Sequence, residues 1–543
     1  MPTIEVLVLL LAVTAAAAVI ARRLKIPEAI VLVLTGVVLA LVPWLPTVAL
    51  SPQLVLLIVL PPLIYSAAVA MSWHEFCFNL RTISLLAVGC VVFTTVAVAA
   101  AAHWWMGLPW PVGFVLGAIV SPPDAVAPLA IARRMQIPRR IRVVLEGEGL
   151  ANDATALILY RFAVAAVGVQ VFSLPKAAGL FVAIVAGEIA WGVGVGWLML
   201  RLRRWVRDPR TEITLSVLTP FIAFWPPAHL GGSGVLATVS AGLYTSWNGL
   251  RLISAATRLQ GIFFWDFLIY LIEGMVFLIT GLQARTLIDR IGNSPLSTLA
   301  FSVAVTCAVV IAARFIWTFP AVYLPRWLSP ALQRRDPAPP WQWPFTLAFT
   351  GVRGIVSLVA ALAIPLATAD GQPFPARDLI LLLTFAVILV TLIGQGLLLP
   401  WVIRRVGLAR AGNSERHADR IEEYKARRQG IEAAIARLDR LAGERKLPED
   451  LVKALRARHR DRLRHAPYES DADEGDGDDG KRDDGHRKLI DLDDEIELEL
   501  IAAERDHVND LSRSGALKDE ARRRIERELD LREAHIANRR GED

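Results

Sequence analysis

The chain has 543 residues, of which 54% are hydrophobic and 20% charged, and its mean hydropathy is +0.45. A soluble protein of this length seldom averages so apolar, so the composition excludes most soluble classes and indicates a membrane protein. The net charge of +6 conceals a split, because residues 1–410 carry +13 and residues 411–543 carry −7. The basic balance belongs to the apolar part, and we predict no nucleic-acid partner.

Thirteen stretches are apolar and long enough to approach the roughly 20 residues that a bilayer crossing needs. They are 3–21, 26–43, 53–71, 82–106, 110–132, 140–169, 177–200, 212–227, 230–248, 262–283, 298–324, 345–366 and 378–403. The first is interpreted as a span and not a signal peptide, because its basic residues follow the apolar run. We therefore predict an all-α polytopic membrane protein, with its transmembrane domain over residues 1–410.

The connections between these spans alternate in charge. One set is rich in Arg and Lys, whereas the opposite set holds only Lys176, Arg285, Arg290 and Arg377. Since positive loops stay in the cytoplasm, the N-terminus is predicted outside and the C-terminus inside. An odd number of spans requires the same result.

The composition changes abruptly after Arg410. Residues 414–445, 448–465, 488–512 and 515–540 are typical of charged, moderately amphipathic helices. Residues 470–486 are rich in Gly and Asp and are predicted to be a disordered acidic linker. We interpret residues 411–543 as a cytosolic helical tail that assists assembly; a regulatory role stays open, and its partner is unknown.

The fifth span contains SPPDAVAP at 121–128, where three prolines must break the helix. Broken backbone at membrane depth is tolerated where it is buried in protein or lines a wet cavity. Its carbonyls could hold a cation, with added oxygens from Ser121 and Asp124. The alternative is a proline kink with a capping Asp.

The sixth span contains LEGEGLANDATAL at 145–157. Glu148, Asn152 and Thr155 share a helix face, and Asp153 lies one step round, near mid-span. An intramembrane carboxylate is costly and usually marks an ion or proton site. The alternative pairs Asp153 with Arg161, two turns along.

The twelfth span contains FTGVRGIVSLVAAL at 349–362, where Gly351 and Gly354 bracket Arg353 and weaken the helix. If spans 1–6 and 8–13 are two inverted repeats, the broken fifth and twelfth spans correspond, which is typical of a transporter site. We further predict that Arg353 pairs with Glu273 of the tenth span, in a structural role.

Six segments in this order resemble the bacterial sodium/proton exchangers of the monovalent cation:proton antiporter family. They are SPPDAVAP, LEGEGLANDATAL, HLGGSGVLATVSAGL (229–243), EGMVFLITGLQ (273–283), TGVRGIVSLVAAL (350–362) and TLIGQGLLLPWVIRR (391–405). The resemblance implies a homodimer in the bacterial cytoplasmic (inner) membrane, with crossed, unwound helices in each protomer. It implies that Asp153 binds the ion and the proton, that Asn152 is its neutral neighbour, and that exchange is electroneutral.

Two positions depart from the family pattern. Ser66 stands where many relatives have Glu, and Gly149 stands where they have Ser. Because both positions contribute oxygens to the cation in relatives, the departures affect the expected ion selectivity and leave the fold unchanged.

These observations predict a secondary antiporter that exchanges a monovalent cation, foremost Na⁺, for H⁺ by alternating access. The predicted ligands are Asp153, Asn152, Asp124 and Ser121, supported by Glu148, Thr155, Glu273 and Arg353. No cofactor is expected, since the cation and the proton are substrates. A K⁺/H⁺ antiporter and a passive cation channel stay open; an enzyme is not favoured, because no catalytic or phosphate-binding motif is present.

Overall fold

The computed structural model describes residues 3–42, 52–167, 174–206, 208–253, 255–290, 295–368, 371–445, 447–464, 495–505, 507–508, 525, 528–534 and 536. Within these ranges the chain is helical apart from its connections, and one isolated bridge joins Ala367 to Pro373. The predicted all-α class is confirmed. The chain divides into two compact units, Met1–Asn413 and Ser414–Asp543.

The first unit contains helices that we number in chain order. They are α1 (Thr3–Leu24), α2 (Glu28–Ala40), α3 (Pro52–Ala70), α4 (Trp73–Met106), α5 (Trp110–Val120), α6 (Val126–Met135), α7 (Arg139–Val167), α8 (Leu174–Arg203), α9 (Pro209–His229), α10 (Val235–Leu252), α11 (Ala255–Arg290), α12 (Leu296–Leu328), α13 (Pro330–Arg335), α14 (Gln342–Phe349), α15 (Ile355–Leu362) and α16 (Arg377–Val406).

Seven of the described helices are long and apolar enough to cross a membrane, and α2 and α5 are shorter apolar helices. Every predicted span overlaps described helix, although α5/α6 and α14/α15 are each divided in two. The number of thirteen crossings and the inverted repeat stay predictions.

The two predicted helix breaks are confirmed. Residues 121–125 separate α5 from α6, where Pro122 and Pro123 cannot donate backbone hydrogen bonds. Residues 350–354 separate α14 from α15, and Gly351 and Gly354 lie within that segment. The two interruptions leave short half-helices, and the residues at both interruptions are buried or half-buried.

Close helix contacts hold the first unit together. Helices α2 and α11 cross at Gly36 and Gly281, where a Cβ on either residue would overlap the backbone of the other helix. A large apolar cluster surrounds α5, α7, α15 and α16, with Leu116, Leu358 and Leu383 fully buried. This packing fixes the half-helices, since interiors as dense as these tolerate little displacement.

Large apolar side chains also cover the outside of the first unit. Phe263 on α11 is 75% exposed, Trp104 on α4 is 71% exposed, and Val182 on α8 is 65% exposed. Exposed apolar side chains of this size are costly in water, whereas hydrocarbon accepts them.

The second unit contains most of α17 (Leu408–Arg445), together with α18 (Glu449–Arg464) and further helix over residues 495–505. Helix α17 begins six residues before the predicted start at 414 and runs through the composition change without a break. The predicted linker at 470–486 lies outside the described residues.

Candidate functional site

The two interrupted segments cross each other and exchange hydrogen bonds. The backbone amide of Asp124 donates to the carbonyl oxygen of Val352, 2.7 Å away. In return, the side chain of Arg353 donates to the carbonyl oxygens of Val120 and Ser121, at 2.8 and 3.2 Å. Each break therefore supplies partners that the other needs, as buried backbone polar groups require.

The predicted ion pair between Arg353 and Glu273 is wrong. The Arg353 guanidinium is 1% exposed and donates to backbone carbonyls, including that of Gly351. Its backbone amide donates to Thr391 Oγ1 at 3.0 Å, within a π-helical turn of α16. The carbonyl end of α5 carries partial negative charge, which attracts the Arg353 guanidinium.

Asp124 lies between the two half-helices. Its Oδ1 accepts from the amide of Val126, 2.9 Å away, in the first turn of α6. Its other carboxylate oxygen faces Gly354, where any Cβ would overlap it. Asp124 thus accepts from the first amide of α6, close to the capping role of the kink alternative, although the N-cap residue itself is Ala125, and it also lines the cavity described below.

The two residues of the Asn-Asp pair on α7 have different surroundings. Asn152 is fully buried, and its Nδ2 donates to the carbonyl oxygen of Pro123 at 2.6 Å, which ties α7 to the break. Asp153 is half-buried on the cavity side. Thr155 donates to Ala151 on its own helix at 3.5 Å.

A cavity of about 250 Å³ lies between α3, α6, α7, α11 and α15. Its acidic lining comprises Asp124, Glu146, Asp153 and Glu273. At one end Arg133 forms an ion pair with Glu146 at 3.3 Å, and the Arg133 side chain is 66% exposed. The cavity therefore extends from an exposed ion pair to the intramembrane carboxylates.

Asp153 forms no ion pair within the described part of the chain, and Arg161 is exposed. The alternative that paired these two residues is not what the structure shows. A carboxylate that faces a cavity without a basic partner can accept a proton or a hard cation, which prefers oxygen ligands.

Glu148 lies away from the cavity, paired with an arginine that the sequence left unassigned. Arg314 on α12 makes a bidentate contact with it, at 2.5 and 2.9 Å, and both side chains are 2% exposed. Arg314 Nε also donates to the carbonyl of Leu347 at the end of α14. The signal in the sequence was Arg314 itself, which is the one charged residue of the apolar stretch 298–324 and therefore needs a buried acidic partner.

Ser121 was predicted as a cation ligand, and the structure does not place it there. It lies outside the cavity lining, and its Oγ donates to Ala118 at 3.2 Å. Ser66 also lies outside the lining, whereas Gly149 lies within it.

Glu188 on α8 is another buried charge whose partner the sequence did not reveal. It accepts hydrogen bonds from the backbone amides of Ser233, Gly234 and Leu236, at 2.5, 3.0 and 3.1 Å. These amides begin α10, so Glu188 neutralises a helix N-terminus, which favours negative charge.

Crossed, interrupted helices around an acidic intramembrane cavity define a secondary transporter of cations. Residues 8–405 match the sodium/hydrogen exchanger transmembrane family. The chain belongs to this family.

Two relatives illustrate the similarity. An uncharacterized Na⁺/H⁺ exchanger of Mycobacterium tuberculosis is 36% identical over 462 residues, which cover 84% of this chain and 83% of the relative. A sodium, potassium, lithium and rubidium/H⁺ antiporter of Bacillus pumilus is 33% identical over 406 residues, covering 72% of this chain and 60% of the relative.

The fold also resembles a solved structure. The sodium proton antiporter MjNhaP1 of Methanocaldococcus jannaschii matches with a TM-score of 0.58 and 19% identity, over 74% of this chain and 98% of that protein. The predicted fold of crossed, unwound helices is thereby confirmed at the level of architecture.

Proposed function

We propose that this protein exchanges Na⁺ for H⁺ across the bacterial cytoplasmic membrane by alternating access. The observation that carries the proposal is the placement of Asp153 and Asp124 in one cavity, between two interrupted helices. The names of the relatives as Na⁺/H⁺ exchangers support the same activity.

Asp153 is proposed as the residue that alternates between the two substrates. A proton and a cation compete for the same carboxylate, so each neutralises it in turn. An unneutralised carboxylate is expensive to move through hydrocarbon. The bare site is therefore prevented from crossing, and the two fluxes become coupled.

Asn152 favours a one-for-one exchange. Its amide cannot carry a second proton, and its contact with Pro123 holds the helix break in place. Because one proton replaces one monovalent cation at Asp153, no net charge moves in a cycle.

The orientation is proposed from charge and contacts together. Arg134 donates to the carbonyl oxygen of Lys25 at 2.8 Å, and Arg81 donates to Asp336 at 2.9 Å. Arginine-rich connections thus meet in pairs, and we assign them to the cytoplasm. The exposed Arg133–Glu146 end of the cavity then faces inward, and a homodimer is the proposed assembly.

The test is transport by the purified full chain in proteoliposomes with an internal pH dye. Addition of NaCl to the outside of acid-loaded vesicles should raise internal pH, and the rate should not change when valinomycin and K⁺ clamp the membrane potential. LiCl, KCl and choline chloride added in turn measure the selectivity. Sodium entry without coupled proton exit would indicate a channel and would overturn the proposal.

The same assay tests competition. Since Na⁺ needs the ionised carboxylate, the half-saturating Na⁺ concentration should fall as pH rises, by up to about tenfold per pH unit where Asp153 is largely protonated. A half-saturating concentration that is independent of pH would exclude a shared site.

A further inference from the structure

Ser357 lies in the same cavity as Asp124 and Asp153, on the first turn of α15. It is 1% exposed, and its Oγ has no hydrogen-bond partner within the described part of the chain. Buried hydroxyls almost always have a partner, because leaving one unsatisfied costs about 1–3 kcal/mol.

The helix break explains why this hydroxyl is unpaired. Buried Ser and Thr residues in helices usually donate to the carbonyl four residues earlier. Thr384 does so to Ile380 at 2.8 Å, and Thr95 does so to Val91 at 2.8 Å. For Ser357 that position is Arg353, within the non-helical segment before α15. The interruption therefore leaves the hydroxyl available to the cavity.

The rest of the cavity makes this oxygen distinctive. Among the described lining residues, Ser357 provides the one hydroxyl, and the other side-chain oxygens belong to carboxylates. Gly149 adds no side chain, and a Cβ there would lie 2.6 Å from the Cβ of Ala125. A hydroxyl in the same cavity as the Asp124 and Asp153 carboxylates adds an oxygen without adding charge.

We propose that Ser357 Oγ is a ligand of the transported monovalent cation, beside Asp153 and Asp124. This inference rests on the proposed function. The neutral Oγ of Ser357 replaces part of the hydration shell that a hard cation loses on entering the cavity. Because a hydroxyl stays neutral in both states, it tunes cation affinity and leaves the one-for-one charge balance intact.

The test compares Ser357→Ala and Ser357→Cys with the wild-type chain. Alanine removes the oxygen, and cysteine preserves the volume but offers a soft sulfur that a hard cation binds poorly. Thr384→Val is the matched control, since its buried hydroxyl is already bonded within its own helix. Two readouts are used: the half-saturating NaCl concentration for exchange, and the NaCl concentration that half-maximally raises the melting temperature of the purified protein.

Both Ser357 variants should raise both concentrations about five- to tenfold, which corresponds to about 1–1.4 kcal/mol. The control should stay within twofold. If Ser357→Cys behaves like the wild type while Ser357→Ala does not, the residue fills space and the proposal fails. Unchanged concentrations in both variants would also overturn it.

The second readout keeps the test decisive if transport is lost, because sodium stabilisation reports binding alone. Different outcomes contradict the proposed function and the ligand assignment. A wild-type chain that neither exchanges Na⁺ for H⁺ nor is stabilised by NaCl contradicts the proposed function, whereas normal wild-type exchange with unaffected Ser357 variants contradicts the ligand assignment alone.

Discussion

The guanidinium of Arg353, at the break before α15, donates through Nε to the carbonyl oxygen of Val120, 2.8 Å away at the end of α5. A side chain from one interrupted helix thereby supplies the hydrogen-bond donor that the last carbonyls of the other lack. Asp124 returns the contact through its own amide to Val352. Because the two breaks satisfy each other, we expect the half-helices to move as one rigid unit during transport.

Arg353→Ala should lower the free energy of unfolding by about 2–4 kcal/mol, because buried carbonyls lose their donor. Arg353→Lys should recover only part of this loss, because lysine keeps the positive charge but its ammonium lacks the planar fork of donors that a guanidinium offers. Glu273→Gln is the control and should melt like the wild type, as it forms no ion pair with Arg353 within the described residues. Thermal unfolding of the purified variants measures all three, and an equal loss in Glu273→Gln would restore the ion-pair interpretation.

Breaking the Glu148–Arg314 pair from either side should be strongly destabilising. Glu148→Leu or Arg314→Met alone leaves a buried charge uncompensated, at a cost of about 3–5 kcal/mol. The double variant should lose much less than the sum, because both charges are removed together. A double-mutant cycle on melting curves provides the comparison. Strictly additive losses would show that the two side chains do not interact.

Gly354→Ala should abolish sodium-driven proton movement. The new Cβ would overlap the Asp124 carboxylate, so either the carboxylate or α15 must shift. Gly187→Ala is the matched control, since a Cβ there meets nothing within 4 Å. Exchange rates in proteoliposomes, normalised to incorporated protein, check the difference. Full activity in Gly354→Ala would mean that the close approach has no functional importance.

The helix breaks could be predicted from local sequence, whereas the pairing of the buried charges could not. Pro122 and Pro123 remove two backbone donors from the fifth span, and Gly351 and Gly354 weaken the twelfth, although Pro226 and Pro227 lie inside the continuous helix α9. Whether Arg353 faces Glu273 or the carbonyls of α5 depends on how α5, α11 and α15 pack, which one span's sequence does not contain. Asp124 and Asp153 do line one cavity, and their role as ligands stays a prediction, whereas Ser121 lies outside that lining and Arg353 contacts α5 in place of Glu273.

Asp336 provides a pH-dependent contribution to stability outside the membrane spans. Arg81, Arg140 and Arg326 surround it, at 2.9, 2.8 and 2.7 Å. Burial raises the pKa of Asp336, but the hydrogen bonds and charges of these arginines outweigh burial and lower the pKa below its usual value. The stabilisation is therefore complete above the ordinary Asp pKa and is lost as pH falls through the lowered one.

Asp336→Asn should cost about 1–3 kcal/mol at pH 7, and the gap from the wild type should shrink toward pH 3. Melting temperatures across this pH range measure the gap. Glu432→Gln, which removes a surface pair whose carboxylate side chain is 54% exposed, should shift stability by less than about 1 kcal/mol at any pH. A difference in melting temperature between the wild type and Asp336→Asn that grew on acidification would contradict the lowered pKa of Asp336.

The role of Asp153 is tested by measuring sodium-driven proton movement by Asp153→Asn in proteoliposomes. The matched control is Glu75→Gln, which removes a carboxylate paired with Arg139 at 2.5 Å, away from the cavity lining. We predict that Asp153→Asn incorporates normally and shows no Na⁺-dependent change in internal pH, while Glu75→Gln retains exchange. Near-normal exchange by Asp153→Asn would contradict the assignment of this carboxylate as the shared site for Na⁺ and H⁺.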